Sequence, residues 1–291
     1  MPFIFVIGPA RSGTTLLGQC LSKHPDICYV EEPGPIWRVG NENIPHDMFT
    51  EIEARVDIKT RIVSWFASVL RKSKKKLLVE KTPANCLRLR FVKEIFPDSK
   101  VIFLCRDGEK IISSSLKRWK RLGDANNHRI ANNRAGFGLF GKRVKKLSQV
   151  RAVEVIYYLP QIFEIITSLF CFKQRVWGPR FPGIREMLKT HSVAEICAYQ
   201  WRASMEIMRR DMDLWDSERR LVVTYESFCS DPIKVLSMIC SFMGIVASDD
   251  LLSFMAEEVG DDDSACCFSD EEARVVRKVI DGNWNIESSI G

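Results

Sequence analysis

Apolar and polar positions alternate between two patterns along this chain. Phe3-Ile4-Phe5-Val6-Ile7 is an apolar run with no polar interruption, which predicts a strand buried on both faces of a parallel sheet. Leu16, Leu17, Cys20 and Leu21 follow at i, i+1, i+4 and i+5, one face of a helix. The alternation continues. Ile27–Val30, Leu77–Val79, Val101–Cys105 and Leu221–Tyr225 read as strands. Residues 47–72 carry a helical face (Ile58, Ile62, Phe66, Val69), as do Leu89, Val92 and Phe96, and then Ile111, Ile112, Ser115, Leu116 and Trp119. A long helix is expected over about 191–215. Asp231-Pro232 opens another that Gly244 closes, and Ser269-x-x-Glu272 is a capping box before a last helix through Ile280. Strands alternating with helices predict an α/β fold with a central parallel sheet flanked by helices.

Periodicity fades over 121–150, a stretch rich in Gly, Asn and basic residues. With 151–190 it forms an expected, mostly helical insertion in a single domain spanning 1–291. Val155–Phe172 is largely apolar and flanked by basic residues, just long enough to cross a bilayer. Pro160, Gln161 and Glu164 in its middle favour a buried helix or a flap over an acceptor site, with peripheral membrane contact through 153–172 left open.

The 291 residues are 46% hydrophobic and 27% charged, ordinary for a soluble globular chain, here expected to be cytoplasmic. The core strand begins at once, so no targeting segment is expected ahead of the fold. A net charge of +6 suits an anionic ligand and is too mild to argue for nucleic acid. Ten cysteines lack metal-like or redox pairing and read as reduced thiols, mostly buried.

The chemistry concentrates after the first strand. Gly8-Pro9-Ala10-Arg11-Ser12-Gly13-Thr14-Thr15 is a glycine loop opening a helix, whose N–H groups and helix dipole suit a phosphate. The spacing Gly8-x4-Gly13-Thr14-Thr15 matches the nucleotide triphosphatase loop except that Thr14 stands where that motif needs Lys. The cation is instead Arg11, inside the loop. Arg106 ends a strand and Ser114 follows eight residues on, a pair able to grip a second phosphate. Tyr225-Glu226 ends the last strand, where an aromatic ring can face a base or pack in the core. Glu31-Glu32 lie at another strand end, where ligands bind in such sheets.

Together these residues resemble the sulfotransferases that use 3′-phosphoadenosine 5′-phosphosulfate. In that family a Pro-x-(Arg/Lys)-Ser-Gly-Thr-Thr loop holds the 5′-phosphosulfate, here Pro9–Thr15, and the Arg-x7-Ser pair holds the 3′-phosphate, here Arg106 and Ser114. The late Tyr-Glu, here Tyr225-Glu226, packs near adenine, and Arg277 and Lys278 match a C-terminal region that also reaches the 3′-phosphate. Arg11, His24-Pro25-Asp26 and Glu31-Glu32 resemble the branch with protein-tyrosine and many bacterial sulfotransferases. That branch implies Glu32 as general base, with Glu31 as the alternative, and Lys81 of Glu80-Lys81-Thr82-Pro83 supporting the transferring group. Gly108 replaces a frequent Pro, and Val279 a frequent Gly.

The resemblance implies a P-loop-like three-layer fold and in-line sulfuryl transfer without a metal. The segment 121–190 is expected to shape the acceptor pocket, and its aromatic and apolar content suits a hydroxyl of a glycan, lipid or hydrophobic metabolite without naming one. A peptide tyrosine is possible by branch. The competing readings are an ATP- or GTP-dependent P-loop kinase or NTPase, for which Asp107 is the candidate Mg²⁺ ligand, and a non-catalytic binder of 3′-phosphoadenosine nucleotides.

Overall fold

A computed structural model describes residues 2–131, 176–258 and 265–282. The chain divides into two compact units, one of 1–115 with 178–291 and one of 116–177. The first unit holds the sheet. The described part of the second is the later part of one long helix and residues 176–177. The segment 155–172, and most of the expected insertion, lie outside the described residues.

The elements run β1 (Phe3–Ile7), α1 (Thr14–Ser22), β2 (Ile27–Glu31), α2 (Gly34–Trp37), α3 (Val56–Ser73), β3 (Leu77–Lys81), α4 (Leu89–Ile95), β4 (Lys100–Cys105) and α5 (Gly108–Ala131). They continue through α6 (Ile184–Met187), α7 (Val193–Asp211), β5 (Arg220–Thr224), α8 (Tyr225–Ser230), α9 (Pro232–Met243), α10 (Asp249–Glu258) and α11 (Asp270–Asp281). The five strands form one sheet in the order β2-β3-β1-β4-β5, and every pairing is parallel. Connections leave β1 toward β2 and leave β4 toward β5, so the strand order reverses between β1 and β4. Ligands bind at the carboxyl edge of such a switch point.

The uninterrupted apolar strands are explained by burial on both faces. Phe3 and Phe5 point into an aromatic cluster with Trp37, Phe66 and Phe96, where Phe5 and Phe96 rings lie 5.0 Å apart and Trp37 and Phe66 5.3 Å apart. Ile4 and Val6 face the other way, into an aliphatic core with Leu17, Leu21, Val79, Ile102, Leu236 and Ile239. The three-layer expectation holds.

Local chemistry sets most boundaries. Ser192 and Ser269 each form a capping box, with Glu195 and Glu272, at the starts of α7 and α11. The Asp231 side chain accepts from Lys234 N at the start of α9, and Gly244 ends it with φ 81°. Two expectations need correction. The helix expected from residue 47 begins at Val56, because Thr50 and Glu53 close a short 3-10 turn as their own capping box and Arg55 is extended. The last strand stops at Thr224, whose hydroxyl accepts from Ser227 N, so Tyr225 opens α8 rather than ending β5.

Of the described cysteines, Cys20, Cys86, Cys197, Cys229 and Cys240 are buried thiols, while Cys266 and Cys267 are exposed. Among the described residues no helix is long and apolar enough to cross a membrane.

Candidate active site

The loop between β1 and α1 needs its glycines for two different reasons. A Cβ at Gly8 would meet Leu104 O at 2.5 Å, so backbone and backbone approach too closely for a side chain. Gly13 sits at φ 95°, and its Cβ would lie 2.2 Å from the Tyr225 ring. Arg11 also has a left-handed backbone, φ 74°. The turn is closed by Ser12 N donating to Pro9 O, 3.1 Å, and α1 starts immediately, its free N–H groups at the loop. Ser12 Oγ is buried without a hydrogen-bond partner, a donor enclosed in the cradle. Thr14, standing where the triphosphatase motif has Lys, is buried at 3% exposure against Gly8.

The ammonium that the loop lacks arrives from the neighbouring strand. β3 pairs with β1 so that Lys81 lies beside Val6, and β2 pairs with β3 so that Glu31 lies beside Lys81. Lys81 is fully buried. Its Nζ donates to Thr15 Oγ1 at 3.0 Å, Glu31 Oε1 at 3.3 Å and Glu32 Oε1 at 2.6 Å. All three of its donors are therefore satisfied, which a buried ammonium requires. Glu32 stands just past β2 with φ 48°, a conformation costly for a side-chain-bearing residue. It is held there by Glu32 N donating to Lys81 O, 2.9 Å, and by Gly34 N donating to Glu32 O, 2.8 Å. The carboxylates remain open, Glu31 at 39% and Glu32 at 52% side-chain exposure.

A second cluster forms at the ends of β4 and β5. Arg11 Nε donates to Ser114 Oγ at 3.0 Å, which joins the loop to α5. Arg106 Nη1 donates to Arg11 O at 3.2 Å, and its guanidinium lies 4.2 Å from the Tyr225 ring centroid. Arg11, Arg106, Ser114 and Tyr225 are thus brought together around Gly13. Asp107 caps α5, accepting from Lys110 N at 2.9 Å. Gly108 has a local reason: a Cβ there would meet the Trp201 indole at 2.5 Å, so the indole fills the space that a proline ring would need.

The remaining expected site residues are further out. Arg277 Nε donates to Glu109 Oε1 at 3.2 Å, one helical turn before Ser113, and Lys278 is exposed. Val279 is buried, and its carbonyl accepts from Arg202 Nη1 at 2.6 Å. His24 is structural: Nε2 meets Val246 O at 2.8 Å, and Nδ1 accepts from Asp26 N at 3.1 Å.

Sequence reasoning missed a buried polar group behind Lys81. Glu80 projects to the aromatic face, where its carboxylate accepts from Trp37 Nε1 at 3.0 Å, from Asn85 Nδ2 at 2.9 Å and from Thr82 Oγ1. Arg88, also buried, donates to Asn85 Oδ1 at 2.8 Å. Burial pushes the Glu80 carboxyl up to about 7 and the Arg88 guanidinium down to about 10. The short helix α2 that carries Trp37 has no periodic signal, and Glu80, next to Lys81 at the end of the apolar run Leu77–Val79, reads as an ordinary polar strand end.

Known proteins resemble this chain in sequence and in fold. Residues 2–152, just over half the chain, match the model of the sulfotransferase family. Protein-tyrosine sulfotransferase 1 of Danio rerio is 28% identical over 167 residues, covering 54% of this chain and 44% of that protein. The Homo sapiens protein of the same name is 29% identical over 128 residues, covering 40% and 35%. The matched stretch thus spans less than half the length of these relatives. The sulfotransferase domain from the curacin biosynthetic pathway superposes with a TM-score of 0.55 at 15% identity, over 96% of this chain and 98% of that one. The sulfotransferase domain from the Synechococcus PCC 7002 olefin synthase gives 0.50 at 17% identity, over 98% and 89%. These two likenesses show the fold. From the family match over the half that carries the loop, Glu32, Lys81 and Arg106, the chain belongs to the sulfotransferase family.

Proposed function

We propose that this chain transfers a sulfuryl group from 3′-phosphoadenosine 5′-phosphosulfate to a hydroxyl of a glycan, lipid or small-molecule acceptor. The observation that carries this reading is Lys81, a buried ammonium bound at once to Thr15 of the phosphate loop and to two carboxylates at the open edge. A fixed cation beside an open carboxylate supplies the two groups that in-line transfer needs. The glycine cradle, the enclosed Ser12 hydroxyl and Arg11 fit a phosphosulfate, and Arg106 with Ser114 fits a separate phosphate.

In this mechanism Glu32 accepts the proton of the acceptor hydroxyl as its oxygen bonds to sulfur. The bond from sulfur to the bridging oxygen breaks, and the electron pair goes to the departing 5′-phosphate. Arg11, the loop N–H groups and Lys81 stabilise the charge that gathers there. The products are a sulfate ester and adenosine 3′,5′-bisphosphate. A phenolic hydroxyl is a second acceptor class, supported by the relatives named protein-tyrosine sulfotransferase.

Calorimetry tests the donor. Adenosine 3′,5′-bisphosphate should bind without a metal and more tightly than ADP or GDP with Mg²⁺, and Arg106→Ala should weaken it by about tenfold or more, the loss of a charge-assisted phosphate contact. Preference for ADP with Mg²⁺ would sink the reading and restore the kinase alternative.

A further inference from the structure

Tyr225, left open in sequence between a base contact and core packing, opens α8 and has other partners. The Tyr225 ring packs one edge on Gly13 of the loop and carries the Arg106 guanidinium 4.2 Å from its centroid. That distance is well inside cation–π range. The next residue holds the same partner segment from the backbone side, because Glu226 Oε1 accepts from Asp107 N at 2.9 Å. Two consecutive residues at the start of α8 therefore grip Arg106 and Asp107, the two residues between β4 and α5. The arginine is further tied by its bond to Arg11 O, 3.2 Å. Arginine side chains lose considerable rotamer freedom when a ligand fixes them, and holding one beforehand removes that cost from binding.

We infer that Tyr225 and Glu226 are positioning residues for Arg106, and that this clamp sets the preference of the nucleotide site for 3′-phosphorylated over unphosphorylated adenosine nucleotides. The inference rests on the proposed donor, and it assigns the tyrosine a different task from a platform for adenine. A platform acts on every adenosine nucleotide alike. A clamp on Arg106 acts only on those with a 3′-phosphate.

The test compares adenosine 3′,5′-bisphosphate with 5′-AMP by calorimetry on the full chain. The wild type should favour the bisphosphate. Tyr225→Leu should weaken the bisphosphate by about three- to tenfold, the size of a partly desolvated cation–π contact, and weaken AMP, which meets the ring only through the Gly13 loop, clearly less. Tyr225→Phe keeps the ring and should behave as wild type, which separates the clamp from a hydroxyl contact. Glu226→Ala should reproduce the selective loss in smaller measure. Tyr225→Leu added to Arg106→Ala should cost nothing further, because the two act as one unit. Equal loss of both nucleotides in Tyr225→Leu overturns the clamp and leaves the proposed donor standing. A wild type indifferent to the 3′-phosphate overturns the donor assignment and the clamp together.

Discussion

Lys81 shows how one side chain can organise a site. A buried ammonium is costly unless every donor is matched, and here Thr15 at the start of α1 and the consecutive Glu31 and Glu32 at the end of β2 match them. The same bonds fix where Glu32 points, although its backbone is left-handed at φ 48°. Changing Glu32 to Gln removes the charge while keeping the size and one acceptor oxygen. With a phenol as acceptor, Glu32→Gln is expected to lose at least about 100-fold in turnover while its affinity for adenosine 3′,5′-bisphosphate stays within about twofold. Turnover that survives in Glu32→Gln and vanishes in Glu31→Gln would move the base to Glu31, the other carboxylate on the same ammonium.

At the scale of elements, the site gathers at the carboxyl ends of the strands, where each gives way to a loop or a helix. The loop after β1 and the start of α8 are packed against each other so closely that Gly13 has no room for a methyl group. Gly13→Ala therefore combines a backbone angle of φ 95° with a 2.2 Å approach to the Tyr225 ring. It should lower the thermal midpoint and weaken bisphosphate binding by about tenfold or more, since either the loop or the ring must move. Thermal unfolding beside calorimetry checks both, and unchanged affinity would mean that the loop absorbs the methyl elsewhere. At Gly108 only the second factor operates, the 2.5 Å approach to the Trp201 indole.

On the scale of the whole molecule, β3 carries opposite chemistry on its two faces. Lys81 faces α1 and the carboxylates, while Glu80 enters the aromatic layer and ties Trp37 of α2 to the turn after β3. Burial raises the Glu80 carboxyl from 4.5 to about 7, against the pull of its hydrogen bonds and of Arg88 and Lys81. The folded chain then binds a proton that the unfolded chain has released between about 4.5 and 7. Stability assigned to this group consequently falls as pH rises through that window and levels off above it. Denaturant midpoints measured from pH 5 to pH 8 should decline less steeply in Glu80→Gln than in the wild type. Parallel slopes would show that Glu80 ionises in the fold as it does in water.

Neighbouring residues along the chain were enough to determine the layers and the loop. Apolar runs placed β1 and β4, helical spacing and capping residues placed α1, α7, α9 and α11, and Gly8 to Thr15 read as a phosphate cradle because that information lies in adjacent residues. Spacing paired Arg106 with Ser114, and the family resemblance singled out Glu32 and Lys81. Which of them meet was decided by the assembly of the sheet. The strand order β2-β3-β1-β4-β5 sets Lys81 beside Val6 and Glu31, which delivers its ammonium to Thr15. That order also sets β5 against β4, where Tyr225 comes under Arg106 instead of ending a strand. The link between α2 and Glu80 was illegible for a related reason, since Trp37 and Glu80 are 43 residues apart along the chain. Periodicity reports which face of an element is buried, whereas the neighbour it is buried against is fixed by how the strands associate.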